Sequence, residues 1–280
     1  MLGRRLERPV MEPDQLAKLK EDLAVATKAL SRSPDNADSL IWVGRRLAYL
    51  SRYREALDTF TSGVQRFPRD ARFLRHRGHR YLTVRRPTRA IEDLTKAASL
   101  IAGTADTIEP DGAPNARNIP LSTLHFNIWY HLGLAHYLNG DFPRALAAYD
   151  SCMTVSRNPD LEVATSYWRY LTLRRMKRDQ EADAMLAIAR RNPELIENTS
   201  YLRLLRLFAG LEEVNALVPQ GAARVTLGDA TTAYGVSMWH FLSGREKEAR
   251  DEWRRIVESP AWASFGVVAA EAELSRAQSR

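Results

Sequence analysis

The side chains best suited to chemistry in this 280-residue chain are imidazoles and guanidiniums set close together. His76 and His79 are three positions apart, so on a helix both rings would share one face. Glu109 and Asp111 follow, and His131 lies further along. A His/carboxylate set of this kind suits zinc or iron. The same residues could serve as a general base, its orienting carboxylate and an arginine anion holder. Against both, Arg72, Arg75, Arg77 and Arg80 crowd the histidines and would repel a cation. There is no HExxH, no CxxC and no phosphate-cradling glycine loop, and no nucleophile is placed. The reading favoured is therefore neutral, hydrogen-bonding histidines that hold a neighbouring loop, with no cofactor, no metal and no catalytic residue. A metal-dependent or enzymatic site made from these histidines and carboxylates is the alternative.

Charge is uneven. From Arg45 to Arg89 thirteen arginines face only Glu55, Asp58 and Asp70, a local +10 in a chain of net +7. Such a field favours an acidic peptide, a phosphate, a nucleic acid or an anionic membrane face. The chain has 35 Arg to 6 Lys, a bias that GC-rich codons alone can produce, so part of the excess need have no partner. Without a recognised reading motif, nucleic-acid or anionic-surface binding through this arginine-rich stretch is a further alternative, ranked below protein binding.

What would position these residues is a repeat. Gly44 and Gly78 are 34 residues apart, as are Ala56 and Ala90, and Gly133 and Ala145 repeat the internal spacing of 12. A fixed period of this length marks stacked helix pairs. Gly and Ala let two helices approach closely, and Leu40, Val43, Leu47, Leu57 and Phe60 fill the space around them. One pair cannot bury its apolar face alone, so neighbours stack and end units cap the stack.

These residues resemble the tetratricopeptide repeat, in a bacterial type. Residues 37–70 carry its pattern as Leu40, Val43, Gly44, Leu47, Ala56, Phe60, Gly63 and Pro68. Residues 71–104 carry Leu74, Arg77, Gly78, Tyr81, Ala90, Leu94 and Ala97, and residues 126–159 carry Trp129, Leu132, Gly133, His136, Ala145, Tyr149 and Cys152. The closing FGVVAAEAEL is similar to the ends of bacterial proteins of this type. The resemblance implies an all-α, right-handed solenoid of antiparallel helix pairs that works as a protein-binding scaffold. It also implies which side chains line the concave groove: Trp42, Arg45, Tyr49, Arg72, Arg75, His76, His79, Asn127, Tyr130, His131, Tyr137 and Trp168. Packing between repeats is open as an alternative for the aromatics, most evenly for Trp168. Some members clamp acidic chaperone tails with Lys, Arg and Asn. Here Asp38 and Trp42 stand where the first cation and Asn would be, so that ligand is not implied. The expected partner is an acidic or extended peptide segment of another protein.

The organisation expected is a loose basic arm over 1–12, then one solenoid over 13–280. A cap helix spans 14–31; repeats span 37–70, 71–104 and 126–159; degenerate units span 161–193, 198–218 and 230–260; a cap helix closes over 261–276. Between the second and third repeats the period breaks, leaving a proline-rich insertion at 103–122. It reads as an ordered loop folded back over the inner wall near His76, His79 and Tyr130, anchored by Ile108, Ile119 and Leu121, with a disordered excursion as the alternative. No apolar run approaches 18 residues and the start lacks a secretory core, which predicts a cytoplasmic chain. A periplasmic or lipid-anchored location is the alternative should a signal have been removed. The lone Cys152 occupies a small-residue packing position and reads as an inert buried thiol.

Overall fold

The computed structural model describes residues 2–217 and 227–278. The chain is a succession of helices: α1 (Pro13–Arg32), α2 (Ala37–Tyr49), α3 (Tyr53–Arg66), α4 (Ala71–Thr83), α5 (Pro87–Leu100), α6 (Leu124–Asn139), α7 (Phe142–Val155), α8 (Pro159–Arg175), α9 (Asp179–Met185), α10 (Ala187–Arg191), α11 (Thr199–Phe208), α12 (Val214–Leu217), α13 (Leu227–Leu242), α14 (Glu246–Val257) and α15 (Phe265–Gln278). Among the described residues the only extended pairing is a single antiparallel bridge between Ile108 and Thr123. No helix there is long and apolar enough to cross a membrane.

The starts and stops are local. Side chains of Asn36, Asp70, Thr123, Asp141 and Asn158 accept from orphan amides at the starts of α2, α4, α6, α7 and α8. Within a pair the chain reverses through one left-handed residue, Gly140 (φ 81°) after α6 and Arg85 (φ 62°) after α4. At Arg85 the strain of a side chain in that conformation is accompanied by tertiary bonds from its guanidinium to Thr83 O and Glu271.

Packing within each pair shows why the glycines recur. The facing partner of each lies 16 residues on. A Cβ at Gly44 would come within 2.5 Å of Phe60, at Gly78 within 2.7 Å of Leu94, and at Gly133 within 2.6 Å of Tyr149. The glycine thus admits the large residue of the second helix, while Ala56, Ala90 and Ala145 are fully buried beside it.

The C-terminal end departs from expectation. α15 does not simply cap the last unit. It packs on α13 and α14 and also reaches the first helices α4 and α6. Its segment Gly266–Leu274 is buried, as suits a helix of small apolar residues on all sides. Two carboxylates on it are neutralised: Glu271 pairs with Arg85 (2.8 Å), and Glu273 pairs with Arg175 (2.5 Å) and Arg276 (2.6 Å). The arm before α1 is not loose either. The Leu2 amide donates to Glu271, Arg4 to Val257 O, and the Trp262 indole to Glu7 O, so the two ends of the chain meet. The opposite ends join because α15 offers buried carboxylates to which the arm can donate.

Candidate functional site

α15 divides the expected groove into a filled half and an open half. In the filled half Tyr137 and Trp168 are 0% and 1% exposed. The Tyr137 hydroxyl lies 2.9 Å from that of Tyr234, and the Trp168 indole donates to the Tyr130 hydroxyl at 2.8 Å. His131 is buried with Phe265, the first residue of α15, against its ring. Asn127 is buried and donates to Glu109 and Ser122. Asn127, Tyr130, His131, Tyr137 and Trp168 therefore do not line an accessible groove: His131 and Tyr137 meet α15, Tyr130 and Trp168 meet Tyr201 of α11 and Tyr234 of α13, and Asn127 is held by the insertion. The physical reason is that this inner wall is apolar enough to be covered, and the chain's own last helices cover it. Arg72 is spent as well, bridging Asp70 and Asp38 at 2.6 and 2.5 Å.

The open half lies between α2, α4 and the insertion. Here Arg45, Ala48, Tyr49, Phe60, Arg75, His76, His79, Arg80 and Glu109 line a cleft of about 110 Å³. Helical spacing on α4 brings Arg75, His76, His79 and Arg80 to it, and α2 adds Arg45, Ala48 and Tyr49 one turn apart. The insertion closes one side. Its Glu109 lies 2.9 Å from Arg75 Nε, and the Glu109 amide bonds Ser122 O next to the Ile108–Thr123 bridge. At Gly112 the loop runs against Tyr49 so closely that a Cβ would come within 2.0 Å of the phenol oxygen, while Arg46 donates to Gly112 O at 3.1 Å. At the cleft the anchors are Glu109 and the Gly112 backbone, and elsewhere Asn115 bonds Glu197 and Leu121 O accepts from Asn158; Ile108 and Ile119, expected to anchor, are 55% and 46% exposed.

Hydrogen bonding fixes His76 as neutral, and burial disfavours the charged form of His79 and His131. Arg75 Nη1 lies 3.0 Å from His76 Nδ1, and a guanidinium can only donate, so Nδ1 accepts and the ring proton is on Nε2. His131 Nδ1 donates to Asn127 O at 2.5 Å, as its partner is a carbonyl. Burial first, then Arg75, holds His76 well below the usual imidazole range. Burial, then Arg80 and His131, does the same to His79, and burial with Arg75 brings His131 to about 3. Burial also brings Arg80 down to about 10, and pushes Asp111 up against the opposing pull of Arg45.

Three guanidiniums thus converge with one lining carboxylate. Arg75 lies beside Glu109, but the contact is off the hydrogen-bond axis and Nε is buried without a hydrogen-bond partner. Arg45 stacks on Trp42 at 4.4 Å and reaches the Tyr49 hydroxyl only at 3.4 Å. Arg80 lies over the Tyr53 ring at 5.8 Å. Among the described residues neither Arg45 nor Arg80 has a carboxylate within ion-pair distance. Such a site attracts anions. It is poorly arranged for base catalysis, since His76 Nε2 carries its proton and stands 3.9 Å from Glu109. Among the described residues no three His, Cys, Asp or Glu side chains cluster as metal ligands. Ala48, Phe60 and Arg80 line the cleft but are not among the expected groove residues. Arg80 was findable, four positions after His76 on the same helical face; Phe60 reads from sequence only as core.

A tetratricopeptide repeat protein from Parabacteroides merdae superposes with a TM-score of 0.54 at 12% identity, over 92% of this chain and 95% of that one. A chain of the Cut9–Hcn1 hetero-tetramer of the APC/C superposes with the same score at 14% identity, over 94% of this chain and 46% of that longer one. No protein-family model matches the chain, and no curated protein sequence does. The 34-residue glycine register, the helix pairs it builds and these likenesses together give the chain the tetratricopeptide-repeat fold.

Proposed function

We propose that the chain is a non-enzymatic protein-interaction scaffold whose open inner cleft holds an acidic or extended segment of another protein. The observation that carries this reading is the convergence of Arg45, Arg75 and Arg80 on a cleft with one lining carboxylate. Trp42 and Tyr49 supply aromatic surface beside it, already stacked with Arg45 and Arg46. Aromatic and arginine side chains are the types that carry binding energy in desolvated clefts. The segment engages α2 and α4, where the wall is open, rather than the whole length of the solenoid.

Capture of partners by the folded chain, followed by mass spectrometry, supplies a segment to measure. Its affinity should fall as salt screens the arginines, and Arg45→Ala or Trp42→Ala should weaken it while the exposed Arg69→Ala does not. A partner whose affinity ignores Arg45, Arg80 and Trp42 binds elsewhere, and the assignment fails.

A further inference from the structure

We propose that the cleft between Arg45, Arg75 and Arg80 takes one phosphoryl monoester, a phosphorylated side chain on the partner segment. This rests on the scaffold reading above and narrows it. Size is the first argument. The cleft of about 110 Å³ is walled by Ala48, Phe60 and His79, so its floor has room for one compact group. Charge is the second. Among the lining residues three guanidiniums face one carboxylate, Glu109, and Asp111 attracts Arg45 from outside the lining, so the cleft keeps an excess of positive charge. A carboxylate brings one negative charge and two oxygens, whereas a phosphoryl monoester brings about −1.5 to −2 at neutral pH and three acceptor oxygens.

Donor geometry is the third argument. Arg75 is only 7% exposed, and its Nε meets Glu109 at 2.9 Å as an ion pair without hydrogen-bond alignment. A tetrahedral oxyanion supplies acceptors in the directions a guanidinium fork demands. Arg45 and Arg80 offer further donors, and neutral His76, whose Nε2 carries the ring proton, also lines the cleft. A phosphodiester fits less well: it carries one charge, and its chain must leave on both sides of a cleft closed by α2, α4 and the insertion. Glu109 is the one lining group that opposes the anion. It is held there by Arg75 and Asn127, so it competes with the incoming group for Arg75.

The test is calorimetric titration of the whole chain at low salt with three blocked peptides of one sequence, carrying serine, aspartate or phosphoserine. The phosphoserine peptide should bind, the aspartate peptide should bind roughly tenfold or more weakly, and inorganic phosphate should compete. Arg45→Ala and Arg80→Ala should each cost about tenfold or more, the scale of one charge-assisted hydrogen bond. Glu109→Gln removes the competing charge and should tighten binding, an effect that misfolding could not mimic; Arg69→Ala should change nothing. Equal affinity for the aspartate and phosphoserine peptides overturns the proposal while leaving the acidic-segment scaffold intact. So does an absence of phosphoserine binding when a captured partner still depends on Arg45. A short single-stranded oligonucleotide that binds more tightly than phosphoserine through Arg45 also overturns it, in favour of a diester. Independence of a captured partner from Arg45, Arg80 and Trp42 would instead sink the scaffold reading itself.

Discussion

Replacing Gly133 by Ala tests the packing rule on which the repeats rest. Gly133 faces Tyr149 across the α6–α7 crossing, and an added Cβ would stand 2.6, 2.7 and 2.8 Å from three ring carbons. Carbon pairs settle at about 3.5–4.0 Å, so ring or helix must yield by roughly 1 Å. The ring cannot rotate away cheaply. Tyr149 is fully buried, stands edge-on to Tyr130, and lies on a helix that also packs on α8. Overpacking of this kind costs about 1–3 kcal/mol. In an open helix the same change would stabilise by about 0.5–1 kcal/mol, because alanine loses less backbone entropy than glycine. Crowding wins, so the variant should lose a net 1–2 kcal/mol or so, a drop in Tm of about 2–4 °C per kcal/mol for a chain of this size. The decisive measurement is a double-mutant cycle by urea unfolding. In a Tyr149→Ala background the obstacle is gone, and Gly133→Ala should become neutral or stabilising. A Gly133→Ala variant at least as stable as the parent in the Tyr149 background would refute the reasoning.

Two further perturbations probe the interior. His76, His79 and His131 are held below the free imidazole value by burial and neighbouring arginines. Below about pH 6.5 the unfolded chain therefore takes up protons that the folded chain refuses, and stability should fall with pH, by up to about 1.4 kcal/mol per unit for each ring. For His131 that window extends down to about 3. Urea midpoints between about pH 7.5 and 5.5 should show this loss, and His131→Gln should flatten it; an unchanged slope counts against a buried neutral ring. Glu273→Ala removes the carboxylate between Arg175 and Arg276 at the root of α15. Burial would raise this carboxyl, but Arg276 and Arg175 outweigh it and hold it ionised. Arg276 keeps its bonds to the Tyr137 and Leu138 carbonyls, but stranding the buried Arg175 guanidinium should cost about 3–5 kcal/mol in the same unfolding assay, and a loss below about 1 kcal/mol would mean that α15 does not depend on this contact.

The insertion shows where reading by residue type succeeds and where it stops. Glu109 meets Arg75 as charge predicts, carried there by an insertion that follows the helix pair bearing the arginines. Ile108 and Ile119 do not anchor the loop, because the surface beneath it is polar: Tyr49, Arg46 and Asn127 take its backbone and carboxylate instead. The aromatic wall divides likewise. Trp42 and Tyr49 stay beside the cleft, whereas Tyr130, Tyr137 and Trp168 carry the same residue types into the interior.

The sequence by itself determined the helix pairs. Caps, prolines and the Gly44, Gly78 and Gly133 register act within a few residues or across one crossing, and each glycine reaches a partner only 16 positions away. It also determined that cations collect on the second repeat. Only the tertiary structure decided which part of the inner wall stays open. That choice rests on α15 meeting α4 and α6, on Glu271 meeting Arg85 from 186 positions away, and on the Leu2 amide reaching Glu271. Small turns between successive pairs accumulate along a solenoid until distant helices face one another. No local pattern encodes that sum, so a helix that reads as an end cap instead meets the inner helices α4 and α6.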